Sequence, residues 1–226
     1  MLAAGALCAA ALLGAGTPAL AGGVKGTVNL PANLKGGRRH LGYWRIENGN
    51  VPIQAAPYRG DTVVVVEGLK GAAPAAKTLT VEISGLQVSA PVVVVGPGSV
   101  LELKNNDRVG HVLGIPESPE VMPVERLMPN QLRRVRFNQV GGFFIRCEEY
   151  PHIALSVIVV NSPHYATADE KGAFKIPDAP DGKGNLRVWS RGRWVHEEAI
   201  EVGGKGADLQ VKVTGSESRE REQPTE

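Results

Sequence analysis

The segment FFIRCEEYPHIALSVIVV, residues 143–160, joins two apolar runs through a short polar loop. Runs of aromatic and β-branched residues that are bounded by polar turns are typical of strands. Cys147 ends the first run, and His152 lies in the loop before the second run. The segment therefore predicts a strand–loop–strand unit. Its loop is either a metal-binding loop or an ordinary connection that happens to contain a thiol.

The rest of the chain extends this β-strand pattern in both directions. The 226 residues include 28 Gly and 16 Pro, and further runs such as VVVV (63–66) and TLTVEIS (78–84) are separated by turn residues. No segment has a long helical period, and the proline-interrupted residues 117–131 predict an irregular loop. We therefore predict an all-β fold. The net charge of +2 is too small to indicate a nucleic-acid partner.

The N-terminal residues have the features of an export signal. Residues 1–21 carry no charged side chain and end in Ala19-Leu20-Ala21, which predicts a signal peptide that is cleaved before Gly22. The expected location is the periplasm or the outside of the cell. Glycine and proline interrupt the apolar stretch, so we expect no membrane span after cleavage. At the other end, the charged and polar residues 215–226 predict a disordered tail.

Cleavage would leave Cys147 as the only cysteine, because Cys8 lies within the signal peptide. A single cysteine cannot form an internal disulfide. Cys147 is then either a small buried hydrophobic residue or a thiolate ligand for a metal.

Two separated motifs resemble the cupredoxin family, and most closely its plastocyanin-like members associated with methylamine utilisation. They are PGSVLELKNNDRVGH (97–111) and GGFFIRCEEYPH (141–152), and the stretch SPHYATADEKGAFKIPDAPDGKGNLRVWS (162–190) is similar to one that follows in those proteins. The resemblance implies a Greek-key sandwich with a copper ion bound between the motifs. It assigns His111, Cys147 and His152 as the copper ligands.

The ligand loop departs from the family pattern. A gapless comparison with the usual Cys-x-x-His-Pro-x-Met loop places Tyr150 at the histidine and Ile153 at the methionine. His152 instead has Cys-x4-His spacing, and neither alignment leaves an axial methionine. Type 1 copper uses two imidazoles, one thiolate and a weak axial donor. Two outcomes stay open, a copper site without a strong axial ligand and a site that no longer binds copper.

The flanking segments resemble the two halves of a carboxypeptidase regulatory-like, or transthyretin-like, sandwich. GTVNLP (26–31) matches its opening, and residues 167–190 match its closing strands. We therefore expect a smaller discontinuous sandwich, residues 22–70 and 161–214, with a cupredoxin-like domain, residues 71–160, inserted into it. Two consecutive domains are the simpler alternative.

These features predict an exported protein that binds copper and transfers single electrons to a redox partner. The alternative is a metal-free β-sandwich that binds or supports a component of the cell envelope. No catalytic triad, phosphate-binding glycine loop or paired catalytic carboxylates stand at a recognisable spacing, so we do not expect an enzyme. Glu148 and Glu149 in the loop are either solvated charges or additional donors that would suit zinc.

Overall fold

The structure is a computed structural model that describes residues 22–30, 62–150, 152–204 and 206–213. The predicted signal peptide and C-terminal tail lie outside them. Sixteen strands and no helix occur in the described part, so the prediction of an all-β fold is confirmed. It follows that no helix in these ranges could cross a membrane.

Nine consecutive strands form one sandwich, which we call the inner sandwich. Its four-stranded sheet has the order β4-β3-β6-β9, and its five-stranded sheet has the order β5-β11-β10-β7-β8. The chain crosses between the two sheets repeatedly, and apolar side chains from both fill the core between them. The strands are β3 (Thr78–Ser84), β4 (Gln87–Val88), β5 (Val92–Val95), β6 (Ser99–Asn105), β7 (His111–Gly114), β8 (Glu125–Leu127), β9 (Leu132–Phe137), β10 (Gly141–Cys147) and β11 (Ala154–Val159).

The remaining strands form an outer sandwich from the two ends of the described chain. Its sheets have the orders β13-β1-β16 and β12-β2-β14-β15, and a second apolar core lies between them. The strands are β1 (Val24–Asn29), β2 (Val63–Glu67), β12 (Tyr165–Thr167), β13 (Ala173–Ile176), β14 (Gly182–Ser190), β15 (Arg193–Val202) and β16 (Ala207–Lys212).

The early strands pair with the late strands. β1 lies between β13 and β16, and β2 lies between β12 and β14. Among the described residues, neither β1 nor β2 is paired with a strand of the inner sandwich. This pairing is the arrangement expected for an insertion. The domain boundaries at residues 70/71 and 160/161, and the transthyretin-like character of the outer sandwich, remain predictions.

β2 is buried on both faces because it lies between two apolar layers. All four valines of residues 63–66 are 0% exposed. Val64 and Val66 face the core of the outer sandwich. Val63 and Val65 face the inner sandwich across a third apolar cluster, which is completed by Ile158, Val160 and Trp189. A continuous valine run is what a strand with two dry faces requires.

One short strand lies within the stretch that the proline pattern predicted to be an irregular loop. β8 pairs with β7, so that Leu127 is opposite His111. Three residues are too few to show an alternation of apolar and polar positions in the sequence. β8 forms because it pairs with β7 in the folded chain. This strand fixes one side of the candidate site.

Candidate metal centre

His111 is the first residue of β7, and its imidazole is completely buried, at 0% exposure. Its Nε2 lies 2.9 Å from Oδ2 of Asp107. Its other ring nitrogen, Nδ1, is buried and has no hydrogen-bond partner. Buried polar atoms are nearly always hydrogen-bonded in proteins, so this nitrogen is the chemically unusual atom of the region.

Asp107 holds the histidine through a turn that precedes β7. Its backbone N–H donates to the side chain of Asn105 at 2.9 Å, as in the turns that Asn commonly forms. Its carboxylate accepts hydrogen bonds from the backbone N–H groups of Gly85 and Leu86, at 2.5 and 3.1 Å. The carboxylate therefore joins the β3–β4 turn to His111. Asp107 lies within the motif 97–111 that carries the resemblance, but the resemblance gave it no role. The spacing of four residues between Asp107 and His111 is the sequence feature that could have pointed to this contact.

Cys147 ends β10 as a free thiol that is 2% exposed. It is paired with Leu113 across the β7–β10 ladder. His111 lies two residues before Leu113 and therefore faces the same side of the sheet. Side chains at such diagonal positions have Cβ atoms about 7 Å apart. The fold thus brings His111 and Cys147 to neighbouring positions on the buried face.

The loop after Cys147 closes tightly. The N–H of Cys147 donates to the carbonyl of Ile153 at 3.0 Å, and the N–H of Ile153 donates to the carbonyl of Tyr150 at 2.8 Å. Ile153 is 1% exposed and joins the inner core, as does Leu155. Ser156 has the opposite orientation along β11, on the side of Ile158 and the outer sandwich. Ile153 and Leu155 therefore share a core with Cys147, and Ser156 does not.

Tyr150 lies between the two histidines of the site. Its ring meets that of His111 edge-on, with centroids 5.4 Å apart, and meets that of His152 edge-on at 6.2 Å. Tyr150 is half-buried, whereas His152 is exposed. No group of three or more His, Cys, Asp or Glu residues in the described part of the chain is arranged to hold a metal ion. The structure therefore brings together two of the expected donors and leaves His152 in the exposed loop.

An ion pair fastens this loop to β8. The guanidinium of Arg126 bonds to both carboxylate oxygens of Glu149, at 2.5 and 3.2 Å. The hydrogen bond to Glu149 is the main reason that the pKa of Arg126 is raised, and the negative charge of Glu149 adds to the effect. Glu149 is thus engaged with an arginine. The Glu148 side chain is exposed, and its backbone N–H bonds to the carbonyl of Val112 at 3.0 Å.

Another buried histidine and the arginines of β9 lie apart from this site. His164 is buried in the region of the outer sandwich, where its Nε2 is 2.8 Å from the carbonyl oxygen of Lys70. The arginines of β9 are all engaged within the chain. Arg133 bonds to the carbonyl of Pro123 at 2.9 Å, Arg134 bonds to Glu102 at 2.8 Å, and Arg136 bonds to the carbonyl of Gly98 at 3.1 Å. β9 therefore does not present a row of uncommitted cations.

No protein-family model and no curated protein matches the chain. Among solved structures, amicyanin from Paracoccus versutus (Thiobacillus versutus) is similar, with 20% identity over 43% of this chain and 97% of its own, at a TM-score of 0.33. The Cu(I) form of an amicyanin variant has 18% identity over 43% of this chain and 98% of its own, at a TM-score of 0.32. Because these TM-scores are low, the likeness carries no conclusion about function.

Proposed function

We propose that the chain is an exported copper-binding protein with a cupredoxin-like inner sandwich, and that it holds Cu(I) through His111 and Cys147. The observation that carries this proposal is the buried, unpartnered Nδ1 of His111. Leaving a buried polar group unpaired costs about 1–3 kcal/mol. A bound metal ion would use the lone pair of this nitrogen and remove that cost.

The chemistry of the two donors selects the ion. Thiolate is a soft ligand that favours Cu(I), zinc and iron–sulfur clusters, and imidazole suits copper and zinc. Zinc in proteins is almost always four-coordinate, and the described residues offer no such set of donors. Cu(I) accepts a low coordination number, so an imidazole and a thiolate on one buried face suit it better than they suit zinc.

The donor set does not fit type 1 copper. That centre needs two imidazoles and one thiolate around the ion. Here Tyr150 lies between the rings of His111 and His152, and the second imidazole is exposed. We therefore leave electron transfer, and with it a redox partner, out of the proposal. A protein of the envelope that delivers or accepts Cu(I) is the partner that this function would need.

The test is an anaerobic titration of the purified protein with Cu(I) in competition with a chromogenic Cu(I) chelator. We expect one equivalent of Cu(I) to bind, and Cys147→Ser to abolish binding. His152→Ala is the matched control, because it removes an imidazole from the same loop and should leave the affinity unchanged. Equal loss in Cys147→Ser and His152→Ala would overturn the two-donor site in favour of a three-donor one.

A second function is favoured by the packing of Tyr150. Its ring packs edge-on against that of His111, with centroids 5.4 Å apart, as expected if the loop is a packed structural element. In that case the chain is a metal-free β-sandwich that binds or supports an envelope component. A folded protein that takes up no Cu(I) in the titration would select this function.

A further inference from the structure

We propose that the ion pair between Arg126 and Glu149 is a latch that controls access from solvent to His111 and Cys147. Glu149 belongs to residues 148–150, which directly follow β10 and which we call the strap. The proposal deepens the proposed function, and its part that concerns Cu(I) rests on that function. Its first measurement uses the thiol of the metal-free protein, so it can fail independently of copper binding.

The strap lies over the two buried donors. Cys147 is 2% exposed and His111 is 0% exposed, so neither is open to a reagent or an ion in the closed structure. Tyr150, at the end of the strap, packs against the same core cluster as Cys147, and its ring lies edge-on to that of His111 with centroids 5.4 Å apart. Displacement of Tyr150 therefore opens a route to both donors.

Arg126 holds the strap from β8. Its Nη1 and Nη2 donate to Oε2 and Oε1 of Glu149, at 3.2 and 2.5 Å, and such a pair of hydrogen bonds fixes the carboxylate relative to the guanidinium. The stem of Arg126 lies over the residue before His111, because a Cβ atom on Gly110 would be 3.4 Å from its Cγ and Cδ. Arg126 thus joins the segment before His111 to the strap after Cys147.

The exposure of this ion pair determines how strongly it can act. The side chains of Arg126 and Glu149 are 49% and 38% exposed, so water and salt reach them. Exposed ion pairs stabilise a structure only modestly, and those with bidentate geometry are the ones that contribute measurably. We expect the pair to change the fraction of open molecules by about 2–5-fold. Local openings of this kind occur in folded proteins without global unfolding.

The experiment measures how fast Cys147 of the metal-free protein reacts with iodoacetamide, an uncharged reagent, by mass spectrometry of the peptide that contains it. We expect Arg126→Gln and Glu149→Gln each to react about 2–5-fold faster than the wild type. These variants change the local charge in opposite directions, so a shared acceleration is not an effect of charge on the thiol. The double variant should react no faster than either single variant, because both changes break one interaction.

Arg134→Gln is the matched control. It also removes an arginine–glutamate pair, with Glu102 at 2.8 Å, but on the other sheet of the inner sandwich. We expect the reaction of Cys147 to be unchanged in this variant. An equal acceleration in Arg134→Gln would overturn the latch, because it would show a general loosening of the fold.

Three other results decide the proposal. An unchanged rate in Arg126→Gln or Glu149→Gln would overturn the latch, and so would a double variant whose acceleration is the product of the two single ones. The wild-type protein gives a test that needs no variant: because salt screens exposed charges, its thiol should react faster at about 1 M than at about 0.01 M salt, and a rate independent of salt would overturn the latch. Faster alkylation in the variants without any Cu(I) binding would support the latch and overturn the copper proposal alone.

Discussion

The contact between the two sandwiches can be tested with a single methyl group. Gly142 lies in β10, opposite Ile158 of β11, and the ring of Trp189 from β14 covers it. A Cβ atom at position 142 would overlap this ring, with Cε3 at only 2.5 Å. Non-bonded carbon atoms need about 3.5–4.0 Å. Because Cζ3 and Cη2 of the ring lie closer still, Gly142→Ala forces the ring or the strand to shift by more than about 1 Å.

The expected cost follows from two opposing effects. Overpacking a filled core costs about 1–3 kcal/mol. Trp189 is 3% exposed and packs edge-on against Trp194 at 5.3 Å, so it has little room to move and the cost should lie near the upper end. Replacing glycine by alanine also restricts the unfolded chain, which returns about 0.4–1 kcal/mol. We expect a net loss of about 2 kcal/mol in the free energy of unfolding.

The assay is denaturant unfolding, followed by tryptophan fluorescence and by circular dichroism. Gly203→Ala is the matched control, because nothing lies within 4 Å of its added methyl group, and we expect its stability to be unchanged or slightly higher. In a Trp189→Leu background, Gly142→Ala should cost less than about 1 kcal/mol, because the two positions are coupled. The reasoning is refuted if Gly142→Ala is as stable as Gly203→Ala, or if its cost is the same without the tryptophan.

Three further predictions concern the loop, the pH dependence and export. Tyr150→His should place an imidazole beside His111, and the Cu(II)-loaded variant should then be blue by visible spectroscopy, whereas a further Cys147→Ser change should abolish the colour. A hydrogen bond from Arg134 is the main reason that the pKa of Glu102 is lowered from its ordinary 4.5. This group therefore stabilises the fold above that pH, and the stabilisation is lost as the pH falls through the folded pKa. Denaturation at a series of pH values should show a shallower acid loss for Arg134→Ala than for the wild type. Mass spectrometry of the exported protein should give a mature N-terminus at Gly22, and retention of residues 1–21 would contradict this.

The sequence was informative where a property depends on neighbouring residues. Strand character follows from runs of β-branched residues, and it was readable for β2, β3, β10 and β11. For Cys147 the sequence allowed either a buried hydrophobic residue or a metal ligand. Its position at the end of an apolar strand favoured burial. The pairing of β1 with late strands was suggested by family resemblance, since no property of residues 24–29 alone names a partner so distant in the chain.

The arrangement of the candidate centre could not be read in the same way. Whether Tyr150 or His152 turns towards His111 depends on the two backbone hydrogen bonds that close the loop around Ile153. Spacing alone allowed either residue. The role of Asp107 depends on the β3–β4 turn, more than twenty residues away along the chain. Contacts of this kind arise from the tertiary fold and leave no local pattern in the sequence.

The position of β2 has a consequence for the order in which the chain can fold. Val66 of β2 donates its backbone N–H to the carbonyl of His164 at 2.8 Å. All the strands of the inner sandwich lie between these two residues along the chain. The pairs of β1 and β2 join residues that are far apart along the chain, and contacts of this kind form slowly. During synthesis the N-terminal strands emerge well before their partners and must wait for them. Once the inner sandwich has folded, it brings the segments before and after it close together. The entropic cost of pairing β1 and β2 with the late strands is then small, because the loop that remains to be closed is short. The strands that follow the inner sandwich, β12 to β16, would therefore complete the structure.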